Sequence, residues 1–125
     1  MFKDLMGKDI TPIKNKKLFL FDMDGTIYRE NQLFDGIKEL FDKIVSLGAN
    51  YAFITNNPTR SVKDYLKKVS GMGIACTEEN FFTSAQAAAM LMKNRFSNDL
   101  IYAQGTRSFI QELKDNGVNV TEKYD

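Results

Sequence analysis

Leu18-Phe19-Leu20-Phe21-Asp22-Met23-Asp24-Gly25-Thr26 is the stretch on which the fold turns. A short apolar run stands between Lys16-Lys17 and the polar DMDGT, the pattern of a strand buried on both faces. The period then changes. Ile37, Leu40, Phe41, Ile44 and Val45 fall three and four apart between Asp35 and Leu47, one stripe of an amphipathic helix. Gly48 stands where a helix end needs a residue that tolerates positive φ. The alternation repeats. Tyr51 to Ile54 reads as a second strand, ending in Thr55-Asn56-Asn57-Pro58. Thr59 is expected to cap a helix carrying Val62, Tyr65, Leu66 and Val69. Phe81-Phe82 predicts a third strand, and Ser84 is expected to cap a helix through Ala87, Ala88, Leu91 and Met92. Leu100 to Ala103 predicts a fourth strand. Thr106 is then expected to cap a helix with Phe109, Ile110 and Leu113, ended by Gly117, and Val118 to Val120 begins a fifth strand. Strand and helix alternating in this way predict an α/β fold of right-handed βαβ units, a mainly parallel sheet with helices on both faces. Residues 1–16 are weakly patterned and read as a lead-in; residues 17–125 carry the pattern.

Composition bounds the chemistry. The chain has 125 residues, enough for one buried core, with 43% hydrophobic and 26% charged residues. A net charge of +1 gives no footprint for nucleic acid. The absence of histidine removes every Ser-His or Cys-His nucleophile and every imidazole ligand. Acid–base work must fall to carboxylates, Lys, Tyr or the lone Cys76. That thiol has no internal disulfide partner and no activating neighbour in sequence, and reads as a small buried or loop residue. No apolar run approaches the ~18 residues of a membrane span, and the start lacks the apolar stretch of a signal peptide. A cytoplasmic protein without membrane or nucleic-acid partners is the expectation.

In parallel sheets, ligands gather beyond the carboxyl ends of the strands. The first two predicted strands end in the most unusual polar clusters of the chain, Asp22-Met23-Asp24-Gly25-Thr26 and Thr55-Asn56-Asn57. Asp22 and Asp24 at a strand end can converge, and a hard cation such as Mg²⁺ relieves their repulsion. Gly25 permits a sharp turn that leaves amide hydrogens free for an anion, and Thr26 adds a hydroxyl. One carboxylate could then attack a phosphoryl group while the other shuttles a proton. The plain alternative is a polar turn in which Asp and Gly serve geometry alone. Position favours chemistry, because DxDGT directly follows the first apolar strand of an alternating pattern. Thr55 could merely cap the turn before Pro58, but with Asn56 and Asn57 beside it a phosphate-binding role is favoured. Arg60, in the first turn of a helix, could reach a substrate anion or simply be solvated.

LFLFDMDGTIY resembles the first signature motif of the haloacid dehalogenase superfamily, and FITNNPTRS resembles its second. Glu79-Asn80-Phe81-Phe82-Thr83-Ser84, and Ile101-Tyr102-Ala103-Gln104-Gly105 after it, resemble the NagD-type and 4-nitrophenylphosphatase-like subgroup. The resemblance implies a Rossmann-like three-layer core and a Mg²⁺-dependent phosphatase acting on small phosphorylated metabolites. It implies Asp22 as nucleophile, forming an aspartyl-phosphate, and Asp24 as acid and base. The Asp22 carboxylate and the Asp24 backbone carbonyl would bind Mg²⁺. Thr55 would hold a phosphate oxygen with Asn56 close by.

The family also supplies a late lysine and late acidic metal ligands. Lys114, Lys123, Glu122 and Asp125 do not end apolar strands and do not match them. The expectation is therefore the N-terminal part of such a core, with the cap domain and the C-terminal core strands absent. Such a chain would be weak or inactive alone, and would self-associate or pair with the missing half. Two rivals carry other functions. A non-catalytic or split partner module would keep only the half-site. A response-regulator-like phospho-acceptor needs an Asp after a later strand, but Thr55, Thr83 and Gln104 end those strands with no Asp directly following. A dinucleotide-binding domain fits poorly, since Gly71-Met72-Gly73 lacks the third glycine and precedes a strand.

Overall fold

The computed structural model describes residues 2–57 and 59–123. Pro58 and Asp125, both weighed above, lie outside the described residues. The elements run β1 (Leu18–Phe21), β2 (Tyr28–Arg29), β3 (Gln32–Leu33), α1 (Ile37–Ser46), β4 (Asn50–Thr55), α2 (Val62–Gly71), β5 (Phe81–Thr83), α3 (Ser84–Arg95), β6 (Ile101–Tyr102), α4 (Arg107–Asp115) and β7 (Val120–Thr121). The α/β class with a parallel sheet is as expected. β1, β4 and β5 form one parallel sheet in that order, with Phe21 beside Phe53 and Phe53 beside Phe81. β6 and β7 form a separate parallel pair. The lead-in holds a 3₁₀ turn over Thr11–Asn15 with no buried residue.

The core is aromatic. Phe53, fully buried, stacks on Phe81 at 5.0 Å between centroids and meets Phe41 at 5.6 Å and Tyr51 at 5.8 Å. Ile44 from α1 and Val62, Tyr65 and Val69 from α2 close over this face. A second cluster joins Ala89 of α3, Leu113 of α4 and Val118.

The other face of the sheet corrects an expectation. β1 is not buried on both sides: Leu18 and Leu20 are 55% and 58% exposed, while Phe19 and Phe21 on alternate positions pack into the core. Ile54 and Phe82 are likewise exposed. Helices therefore cover the Phe21–Phe53–Phe81 face and leave these alternate side chains open. Among the described residues β1 stands at the edge of its sheet, bonded to β4 alone.

Two caps also differ. α2 begins at Val62, and Ser61, not Thr59, is its cap. The Ser61 hydroxyl accepts from the Asp64 amide, and Asp64 accepts from the Ser61 amide. This reciprocal box satisfies two orphan donors and outcompetes a single threonine two residues earlier. Thr83, not Ser84, caps α3, in a second such box with Gln86. Thr106 caps α4 as expected. Gly48 and Gly117 take positive φ, 71° and 85°, just beyond α1 and α4.

Glu112 ties α4 to α2. It is only 5% exposed, and its carboxyl faces the Val62 amide at the start of α2. Burial, the largest cause, raises its pKa, with the charges of Asp115 and Glu78 adding to the rise. A raised carboxyl pKa favours the fold below the unfolded value of 4.5, and that contribution is lost as pH rises through the folded value. Glu112→Gln keeps an acceptor oxygen for Val62 and removes the buried charge. The variant should melt higher than the parent at pH 7, with the difference fading towards pH 4, as thermal unfolding across pH would show.

Candidate functional site

The loop after β1 is pinned from below. Met23 is fully buried and anchors the loop, while Asp22 and Asp24, its neighbours in sequence, are exposed. The Met23 carbonyl accepts from the Thr26 and Ile27 amides at 3.0 and 3.1 Å. Gly25 takes φ +79°, a value an L side chain resists, and donates its amide to the Tyr28 carbonyl at 2.9 Å. Asp24 and Tyr28 pair as a one-residue bridge that closes the loop. The amides of Gly25 and Thr26 are thus spent on the turn itself, contrary to the expectation of free donors there. The Thr26 side chain serves the carboxylate instead. Its hydroxyl donates to Oδ2 of Asp22 at 3.2 Å and orients that group.

The second cluster adjoins the first because β4 lies beside β1 in parallel register. Phe21 pairs with Phe53, so Asp22 to Asp24 and Thr55 to Asn57 leave the same carboxyl edge of the sheet. Thr55 is 6% exposed, and its Oγ1 accepts from the Asn57 amide at 3.1 Å. The Asn57 side-chain oxygen accepts in turn from the Thr59 amide and hydroxyl, at 3.1 and 2.7 Å. That contact shows what Thr59 does instead of capping α2. Asn56 is exposed.

Two tyrosines under this edge escaped the sequence reading. Tyr28 is fully buried and Tyr65 is 1% exposed, and among the described residues neither hydroxyl has a hydrogen-bond partner. The Asp24 carboxylate adjoins the Tyr28 hydroxyl and the Thr55 hydroxyl adjoins that of Tyr65, close but without a formed bond. Burial is the main reason both phenols are pushed above their ordinary pKa. Leaving a buried hydroxyl unpaired costs about 1–3 kcal/mol, so two beside one candidate site call for a reason. Tyr65 was legible only as one member of an apolar helix stripe, and Tyr28 only as the last residue of the LFLFDMDGTIY motif.

Arg60 is exposed at the same edge, and its charge acts on Tyr28, Tyr65 and Asp64. A groove of ≈ 500 Å³ lies alongside, lined by Arg60, Lys67, Lys68, Asn31 and Thr59 among others. Lys68 sits 4.2 Å over the Tyr28 ring. Asp64 holds its carboxyl below the usual range, first through the Ser108 hydroxyl and then through the Ser61 amide. Oxygen ligands alone are on offer to a cation here, carboxylates with room for water, which suits a hard ion such as Mg²⁺. Among the described residues no group of three or more His, Cys, Asp or Glu gathers to hold a metal, so the acidic set ends at two. Cys76 lies away from this chemistry in role, a half-buried thiol whose pKa burial raises.

Two exposed carboxylates, Asp22 and Asp24, and the buried Thr55 hydroxyl stand at the carboxyl edge of one parallel α/β sheet, where such folds gather ligands. Residues 19–119 match the model of the haloacid dehalogenase-like hydrolases, and the chain belongs to that family. It is 38% identical over 102 residues to phosphoglycolate phosphatase 2 of Arabidopsis thaliana, covering 79% of this chain and 34% of that one. A 4-nitrophenylphosphatase from Thermotoga maritima superposes with a TM-score of 0.80 at 26% identity, over 90% of this chain and 43% of its own. A glycerol phosphate phosphatase from Mycobacterium tuberculosis, solved in complex with magnesium, superposes with a TM-score of 0.71 at 26% identity, over 83% and 31%. A NagD-type protein is also among the likenesses, in keeping with the subgroup the motifs resemble. The chain spans roughly a third to two-fifths of the length of these relatives. Among the described residues, no helix is long and apolar enough to cross a membrane.

Proposed function

We propose that this chain carries the phosphoryl-accepting part of a Mg²⁺-dependent phosphatase acting on small phosphate monoesters. The observation that carries the reading is the meeting of two clusters, Asp22 to Thr26 and Thr55 to Asn57, at one edge of adjacent parallel strands. Asp22, oriented by Thr26, attacks phosphorus and becomes an aspartyl-phosphate. Asp24, protonated at that moment, gives its proton to the departing oxygen. It then takes a proton from the water that attacks the phosphorus and releases inorganic phosphate. Thr55 and Asn56 hold the phosphoryl oxygens, with Gly25 setting the turn and Asn57 fixing Thr55. Arg60 reaches an anionic part of the substrate. Mg²⁺, held by the Asp22 carboxylate and the Asp24 carbonyl, would neutralise charge on the transferring group.

Cation binding tests the carboxylate pair directly. Calorimetric titration with Mg²⁺ should show weak, saturable binding to the parent chain and none to the Asp22→Asn/Asp24→Asn double variant. Equal binding by both would remove the pair from the metal site. A second reading has its own support in the uncovered sheet face: a split module whose half-site a further length of protein completes. The relatives' greater length leaves room for such a complement, and with it for the lysine and late acids that the family pattern adds.

A further inference from the structure

The unexplained feature of the site is a hydroxyl, not a ring. Phenylalanine would fill the space of Tyr65 equally well, since the core cluster it shares with Val62, Val69 and Phe53 is apolar. The hydroxyl nonetheless lies buried with no hydrogen-bond partner among the described residues. Its polar neighbour is Thr55, which ends β4 beside Thr83 of β5, the strand that α2 packs on. The Oγ1 of Thr55 has two acceptor positions and one proton. The Asn57 amide fills one acceptor position. If a second donor fills the other, the proton is all the group has left to offer.

We propose that Tyr65 is a positioning residue of this site: when an anion is bound, its hydroxyl donates to Oγ1 of Thr55 and turns Thr55 into a pure donor aimed at a phosphate oxygen. This rests on the phosphate-binding reading of Thr55 given above. It explains why the tyrosine hydroxyl is unpaired here: hydrogen bonds in ligand-free sites are often long or misaligned and close on loading. A hydroxyl kept for the ligand finds a partner only when the ligand arrives.

Two measurements on the 125-residue chain decide it. The first is thermal unfolding without ligand. Tyr65→Phe removes an orphan polar group, so it should melt at or above the parent; a clear fall would assign the hydroxyl to the fold and overturn the proposal. The second is calorimetric titration with inorganic phosphate in saturating Mg²⁺. Tyr65→Phe should weaken phosphate binding roughly tenfold, the scale of one hydrogen bond to a charged system. The same change in a Thr55→Ala background should have little further effect, because the group it serves is gone. In a Thr55→Ser background, which restores a hydroxyl, the dependence on Tyr65 should return. Unchanged affinity in Tyr65→Phe, or an equal loss with Thr55→Ala present, would overturn the role. No phosphate binding by the parent chain would overturn the phosphate site itself and the proposal with it, an outcome told apart by lying in the parent rather than the variant.

Discussion

Asp22→Asn should lower turnover of any phosphate monoester by a factor on the order of 10⁴ or more, in every preparation of this chain that hydrolyses one. The reason is elimination joined to geometry. The chain contains no histidine, so no Ser or Cys can be activated by an imidazole. Cys76 has its pKa raised by burial, which keeps it a thiol rather than a nucleophilic thiolate. Asp22 is exposed at the strand end, with the Thr26 hydroxyl on one oxygen. Asparagine preserves the shape and that contact but cannot form an acyl phosphate. Asp24→Asn should behave differently. It removes a proton donor, so kcat should fall by roughly 10²–10⁴ with KM little changed for an alkyl phosphate. 4-Nitrophenyl phosphate leaves as a stabilised phenolate that needs little protonation, so its first step should suffer much less. Steady-state kinetics with both substrates separate these cases. Turnover surviving in Asp22→Asn would assign the chemistry to another group, and an Asp24→Asn loss of kcat/KM equal for both leaving groups would remove Asp24 from leaving-group protonation, the step that kcat/KM reports.

What was legible in the chain follows from where the signal is local. Leu18 to Phe21, Tyr51 to Ile54 and the apolar stripe of α1 are strong because strand and helix periods differ, and the parallel α/β sheet follows from their order. The DMDGT and TNN clusters are local as well, and strand register then brings them to one edge. The failures are competitions and absences. Thr59 reads as a cap, but the Ser61–Asp64 box two residues later satisfies two donors instead of one. The β2–β3 hairpin turns through Glu30 at φ 56° and Asn31, with no glycine to announce it, and its strands are two residues each. Tyr65 looks like an apolar-face residue in sequence, and Tyr28 only closes the first motif. Only the fold shows their hydroxyls buried beside Asp24 and Thr55. Leu18 and Leu20 read as buried because an apolar run carries no information on whether a second layer is present to cover it.

That uncovered layer sets the other large expected effect: the 125-residue chain should self-associate in solution as concentration rises. Leu18, Leu20, Ile54 and Phe82 are exposed by 55, 58, 40 and 44%, and they come from three neighbouring strands. They form one apolar surface rather than scattered residues, and contiguous apolar surface of this kind drives association. β1 adds a free edge, since among the described residues no second strand pairs with its backbone groups away from β4. Both features lie along the same strand, so association that covers the face can also extend the sheet. Light scattering behind size exclusion should therefore show mass above 14.3 kDa that grows with loading. Leu18→Lys/Leu20→Lys should restore the monomer, because these side chains point away from the Phe53 core and their replacement leaves it intact. Hydrogen exchange on the dilute parent should find Phe53 amide protection well above that of the outward amides of β1. A parent that stays monomeric at high concentration, with both sides of β1 strongly protected, would show that the face is already covered in solution. The split-module reading would then lose its support, while the site at the carboxyl edge would stand on Asp22, Asp24 and Thr55 alone.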